Sequence, residues 1–326
     1  HNVPVVPDIM SKIYWSIVIP KMTYGLEVTQ VSEQGFQLLE KAHKQNAKML
    51  QGLPQNTPSP GTMATIGWLS IKRYIEMRKL VFLWQMLYLP MNNIYRRVVV
   101  ATIGNWLIYG TSPPQNSPMG DSFNVACKYG MREMVRNCIM SNVIGIIDSM
   151  KACIKNLMWK QETMEWRATC SMYPELRTYS ATTKIIQVHA WWKLAHRYPQ
   201  LFKEVSSIVA VLLGVQPKFM QRNLENIEYQ CGLCHCRCKE NAMHVILQCS
   251  ELEDIRSHAW DRLLSSMPPG MRQDIRNDEK TLELLLSGLG GNYIPEWDQT
   301  YANIAQFVYS MYEHRKHMYD RNAENT

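Results

Sequence analysis

A mainly α fold is predicted, on three observations. Apolar residues recur at helical spacing, as in Tyr301, Ile304, Ala305, Val308 and Tyr312. The periodic segments are bounded by residues that start or stop helices, such as Ser70, Gly52 and Pro90. Short strands are expected only around 226–238, beside a small cluster of Cys and His.

Taken in order, residues 10–29 predict a helix disturbed at Pro20, which lacks the N–H that the ladder needs. A clearer helix follows over 33–52. Leu39, Ala42, Asn46 and Met49 share one face, apolar apart from Asn46, and Lys41, Lys44 and Lys48 line another. Glu40 and Lys44 form a favourable i,i+4 pair, and Gly52 ends the helix. Leu53–Gly61, with Pro54, Pro58 and Pro60, is expected to be a loop. Ser70 can cap a helix over 71–89 that Pro90 terminates, with Lys72, Glu76 and Lys79 outward and Tyr74, Val81, Trp84 and Tyr88 inward.

Residues 110–120, rich in Gly, Ser, Pro and Asn, make the best linker candidate. Further helices are expected over 121–139, 144–168, 180–197 and 201–213. Trp191, Trp192, His189 and His196 are assigned to packing, and the basic run His314–His317 to a solvated terminus.

Hydrophobic residues are 46% of the 326 and charged residues 19%, which excludes a disordered chain. No apolar run approaches the roughly 20 residues of a spanning helix, so no membrane partner is expected. No signal peptide is visible, and the start at His1 suggests a fragment of a longer reading frame. The net charge of +7 is uneven. Residues 1–110 hold 11 Lys/Arg against 5 Asp/Glu, whereas 231–326 hold 10 against 14. Residues 111–230 hold 14 against 9, so a polyanion would meet the first two thirds of the chain.

Four of the nine cysteines, Cys127, Cys138, Cys153 and Cys170, are dispersed and expected to be buried thiols. Cys231, Cys234, Cys236, Cys238 and Cys249 cluster. This pattern suits a metal in a reducing intracellular compartment, nuclear or cytoplasmic, better than a disulfide framework. Cys231, Cys234, His244 and Cys249 read C-x2-C-x9-H-x4-C. Thiolates and a neutral imidazole are the donors Zn²⁺ favours, and four of them close a tetrahedral structural site. His235, Cys236 and Cys238 are alternative ligands in the same loop. The i,i+5 offset from His244 to Cys249 is about 140° around an α-helix, so His244 must sit at a frayed or bent helix start. Arg237, Lys239 and Arg256 lie near enough in sequence to favour thiolate, and Glu240 is expected at the surface.

Three stretches carry a family resemblance. Ile19-Pro-Lys-Met-Thr-Tyr-Gly-Leu-Glu27 is similar to the P-x-x-x-Y-G-x-E signature after the palm of LINE-like (non-LTR) reverse transcriptases. Leu39-Glu40, Gly52-Leu53-Pro54, Gly67-Trp68-Leu69 and Arg78-Lys79-Leu80 resemble that family's thumb pattern, and the Cys/His cluster resembles its zinc knuckle. The match is loose over about 110–215. The resemblance implies a helical thumb-like bundle (1–109), a helical linker region (110–225) and a zinc knuckle with C-terminal helices (226–326). It also implies an upstream palm domain as partner, and RNA template or primer–template duplex as ligand. The cations best placed for phosphate are Lys41, Lys44 and Lys48, then Lys72, Arg73, Arg78 and Lys79, then Arg96 and Arg97.

The chain departs from the family in ways that matter. It has no Asp-Asp pair to hold two catalytic metal ions, and Asp8 is its only Asp before residue 121. Val211-Leu212-Leu213-Gly214 stands where relatives carry an Arg-bearing motif. No nucleophile elbow or glycine-rich phosphate loop is present. A non-catalytic nucleic-acid-binding fragment is thus expected, with a zinc-stabilised helical protein–protein interaction module as the alternative.

Overall fold

The computed structural model describes residues 6–114, 117–141, 145–216, 230–234, 236, 238–273, 275, 277–289 and 292–324. Over these the protein is mainly α, with fifteen α-helices and no strand. They are α1 Pro7–Ile13, α2 Ile19–Met22, α3 Glu33–Leu50, α4 Ser59–Thr65, α5 Ile71–Leu87, α6 Ile94–Tyr109, α7 Pro118–Lys128 and α8 Arg132–Met140. Then follow α9 Ile147–Cys170, α10 Arg177–Thr182, α11 Ala190–Arg197, α12 Phe202–Leu212, α13 Glu253–Ser266, α14 Asp278–Ser287 and α15 Asp298–Glu324. Of the strands expected around 226–238, residues 226–229, 235 and 237 lie outside the described residues. The remainder contributes only the bridge of Gln230 to Lys239.

Several helix boundaries follow from local chemistry. Ser70 caps α5 by accepting from the Arg73 N–H at 3.3 Å. Gly52, at φ +64°, closes the end of α3. The disturbance expected at Pro20 is a π turn, Tyr14–Val18, leading into α2 with the proline in its first turn. Gly130, at φ +70°, splits the helix expected over 121–139 into α7 and α8. The span 180–197 likewise holds the end of α10 and the whole of α11, separated by extended Thr183. Helices beyond those expected include α14, which begins at an Asn277 cap, as well as α4 and α6. α4 starts inside the expected 53–61 loop, with proline tolerated in its first turn, and α6 begins at an Asn93 cap.

Two compact units are present, each assembled from separated stretches of chain. One comprises Tyr14–His43 and Leu69–Glu165. Its core is built by Leu80, Leu83 and Trp84 of α5, Ile103 and Trp106 of α6, Phe123 of α7, Val135 of α8 and Ile154 of α9. α5 departs from its expected pattern. Lys72 is exposed, but Glu76 and Lys79 are buried. Both gain partners from α7, Lys79 with Asp121 at 3.1 Å and Glu76 with Lys128 at 2.7 Å.

The other unit comprises the described residues of His1–Ile13, Lys44–Trp68 and Trp166–Thr326. Trp191, Trp192, Ile208, Tyr301, Ile304 and Val308 are fully buried there. Gln51 lies inside it with every polar atom engaged. Its Nε2 donates to the Ala47 and Thr62 carbonyls at 2.9 Å, and its Oε1 accepts from Thr65 at 2.7 Å and Trp192 Nε1 at 2.9 Å. The last turn of α3 thus buries Ala47, with Gln51 just past its end, whereas Met49 on the expected apolar face is 65% exposed. Of the dispersed thiols, Cys138 and Cys170 are buried and Cys127 half-buried, but Cys153 is exposed.

His189 caps α11, its Nδ1 accepting from the Trp191 N–H at 3.4 Å. Burial, reinforced by Lys193, lowers its imidazole from 6.5 to about 4. The unfolded chain therefore takes up a proton between these values that the folded chain refuses. This contribution is complete above pH 6.5 and is lost as the pH falls towards 4. The expected loss across that window is about 3 kcal/mol. Urea midpoints taken near neutrality and near pH 5 should diverge less in His189→Asn, which keeps a capping acceptor without the titration. An equal divergence in both proteins would count against His189 as the source.

Candidate metal centre

The cluster is built from two local devices. At the first, the chain turns at Gly232, and the Cys234 N–H points at Cys231 Sγ at 3.5 Å. The Cys231 N–H donates to the Cys238 carbonyl at 2.9 Å, which closes the loop. At the second, His244–Gln248 form a π turn, and the Cys249 N–H donates to the His244 carbonyl at 2.7 Å. The i→i+5 bond of a π turn stacks residues five apart almost above one another. This wider turn supplies the bend that the His244–Cys249 spacing requires. Asn241 Oδ1 accepts from the His244 N–H at 2.9 Å and anchors its start.

Cys231, Cys234, His244 and Cys249 are all buried, and their donor atoms lie within 4.8 Å of one another. Cys231 and Cys249 Sγ are 4.0 Å apart, and Cys234 Sγ is 3.4 Å from His244 Nε2. A tetrahedral site with metal–sulfur bonds of about 2.3 Å has sulfur–sulfur edges of roughly 3.7 Å. The four residues can therefore hold one metal ion. The alternative ligands are also close. Cys236 Sγ lies 2.9 Å from Cys234 Sγ, and Cys236, Cys238 and His244 form a second, largely exposed set. His235 and Arg237 lie outside the described residues.

Charge in the pocket is uneven. Burial raises the Cys231 thiol, but hydrogen bonds from the Cys234 and Leu233 N–H groups and from Arg315 outweigh it and bring the thiol below its ordinary value. Burial holds Cys234 and Cys249 above theirs, and the charge on Cys231 reinforces this. A single thiolate thus forms first and resists the others until a cation arrives.

The surroundings of Cys231 come from α15. Arg315 is fully buried, with Nη1 and Nη2 at 3.6 and 3.7 Å from Cys231 Sγ. Glu240 is its counter-ion at 2.6 Å and is itself largely buried, not a surface residue. Tyr319 accepts from the Gly232 N–H at 3.0 Å, accepts from Arg315 at 3.1 Å and donates to Glu240 at 3.1 Å. The run His314–His317 is therefore not wholly a solvated terminus. A signal for this existed, because Val308, Tyr312, Arg315 and Tyr319 continue the inward stripe of α15 at helical spacing. Of the other cations expected to favour thiolate, Arg256 instead donates to the Cys249 carbonyl and to Glu253.

The nine cations considered for phosphate contacts separate by environment. Arg73 is buried against Glu162 at 3.1 Å and Glu165 at 2.5 Å. Lys79 is buried against Asp121, Arg96 is buried with its guanidinium on the Leu89 carbonyl at 2.9 Å, and Arg78 pairs with Glu27 at 2.8 Å. Buried cations with engaged donors do not present them to a phosphate. Lys41, Lys72 and Arg97 are exposed, and Lys44 and Lys48 are half-buried, Lys48 donating to the Gln55 carbonyl at 2.7 Å. Lys72 also lines an open cleft of about 320 Å³ with Phe36, Lys79, Asp121, Lys128 and Glu76. Both carboxylates of that cleft are already held by cations.

Compared with known proteins, the chain matches no family model, no curated protein and no solved structure.

Proposed function

We propose that this protein is a zinc-stabilised, mainly helical nucleic-acid-binding piece of a LINE-like reverse transcriptase, without polymerase chemistry of its own. The observation that carries the proposal is the buried three-cysteine, one-histidine set in knuckle order behind a basic front. Zinc fits the donors, because thiolates and imidazole in a closed four-ligand set are its structural coordination. Arg315 and Glu240 supply the outer hydrogen bonds that orient such ligands. The ligand would be a template RNA or a primer–template duplex gripped through phosphates, with an upstream palm domain as its partner in the longer protein.

The electrostatic part is tested by salt titration of binding to a structured RNA and to an RNA–DNA duplex. Affinity is expected to fall steeply with salt. Lys41→Gln with Lys72→Gln should lower the slope of log affinity against log salt by roughly 2, one for each lost phosphate contact. Binding that is flat with salt, or a slope untouched by both changes, would remove nucleic acid as the ligand.

A second reading, a helical protein–protein interaction module, is favoured by α6. It exposes Ile94, Tyr95, Val98, Ile108 and Tyr109 at 57–74%. A protein partner retained after nuclease treatment would select this reading.

A further inference from the structure

We propose that Cys236 and Cys238 form a metal-exchange port for the buried centre, through which a thiophilic divalent ion enters and leaves the set of Cys231, Cys234, His244 and Cys249. This rests on the cluster being a metal site and concerns the rate of exchange, not the capacity to bind. The two donor sets overlap at His244, one buried and the other exposing its two thiols. The sulfur of Cys236 is 2.9 Å from that of Cys234, closer than His244 Nε2 is to Cys234 or Cys249 Sγ to Cys231. The Cys238 N–H donates to Cys236 Sγ at 3.3 Å, and the Cys238 thiol donates to the Cys236 carbonyl at 3.6 Å. These two contacts hold the sulfur of Cys236 at the edge of the pocket.

The chemistry follows from the ion. A four-coordinate ion in a closed pocket leaves slowly if a bond must break before a new one forms. Zn²⁺ has no d-electron preference for one geometry and can pass through five-coordination. An incoming fifth sulfur replaces the dissociative route with an associative one. In the exchange step a metal bond to Cys236 Sγ forms and the bond to Cys234 Sγ breaks. The Cys236 proton passes to water, the Cys234 thiolate takes one up, and no electrons are transferred. Two further exchanges follow. A bond to Cys238 Sγ forms, its proton passing to water, as the bond to Cys249 Sγ breaks. Water or a chelator oxygen then replaces Cys231 Sγ, and the freed Cys249 and Cys231 thiolates each take up a proton from water. The ion is then held by Cys236, Cys238 and His244 at the surface.

The test uses the full chain loaded with Co²⁺, whose visible d–d bands report a tetrahedral thiolate site, and challenged with excess EDTA. Cys236→Ser with Cys238→Ser is expected to slow loss of the bands by about tenfold or more, with equilibrium affinity within about twofold of the parent chain. Cys153→Ser, which changes an exposed thiol of the other unit, should leave the rate unchanged. Equal release rates with and without Cys236 and Cys238 would overturn the port. A large fall in equilibrium affinity would also overturn it, because Cys236 would then be a resident ligand. If the parent chain develops no tetrahedral bands with Co²⁺, the metal reading itself fails. That outcome is distinct from intact bands with unaltered kinetics.

Discussion

Removing the metal, or replacing Cys231 and Cys249 together by Ser, is expected to unfold the knuckle while leaving α5–α8 folded. Among the described residues, the segment from Gln230 to Leu252 is otherwise held by hydrogen bonds with Arg315, Tyr319 and Arg256 and by a few buried apolar side chains. Its buried apolar residues are Val245, Ile246 and Leu252, and its only bridge among the described residues joins Gln230 to Lys239. A structural zinc contributes an apparent 10–16 kcal/mol or so near neutral pH, as much as the whole stability of many domains. No hydrogen bond or apolar contact in the segment approaches that magnitude. Without the ion, three thiols and an imidazole share a pocket with a buried guanidinium, and burial together with the charge on Cys231 opposes ionisation of Cys234 and Cys249. Because α13 and α15 pack against the π turn, their facing residues should lose protection as well. Amide hydrogen exchange of the loaded and chelated chains measures this residue by residue. Undiminished protection across Val245–Leu252 after complete metal removal would show that the ion is not what holds the segment. Protons compete for the same sulfurs, so the metal should be released as the pH falls and rebound as it rises.

The second large effect is expected at Arg315. Its guanidinium is fully buried, paired with Glu240 at 2.6 Å and directed at Cys231 Sγ. Arg315→Met keeps much of the length and removes the charge, leaving the Glu240 carboxylate, among the described residues, with Tyr319 and a distant Gln216 amide. An uncompensated buried charge costs about 3–5 kcal/mol. Loss of the N–H···S contacts should weaken metal binding by roughly 10–100-fold. Arg315→Met combined with Glu240→Gln removes both charges and should regain most of the stability, though not the metal affinity. Chemical denaturation and competition with a colorimetric chelator separate the two effects. A double variant as unstable as Arg315→Met alone would show that the cost is lost packing and not an unpaired charge. A chelator midpoint unmoved by Arg315→Met would show that the guanidinium does not support the ligand.

Some features of this protein are local and others are not. Read alone, the sequence determined the mainly α class, the Ser70 cap, the stop at Gly52, and a Cys/His set whose spacing suits one ion. Each depends on residues a few positions apart, and their side-chain and backbone chemistry is written in that short span. It also indicated that His244 could not occupy a regular α-helix with Cys249, without specifying the π turn that solves the problem.

The tertiary structure alone decided which polar groups are interior. Periodicity placed Leu39, Ala42, Asn46 and Met49 on the apolar face of α3, yet His43 and Gln51 turn inward because distant donors and acceptors satisfy them. His43 contacts the Leu69 carbonyl at 2.9 Å and Tyr14 at 3.0 Å, and Gln51 reaches Trp192 from 141 residues away. Arg73 finds Glu162 across 89 residues, and Arg315 finds Glu240 across 75. A charge is tolerated in the interior only when its partner is already there, and no window of neighbouring residues contains that partner.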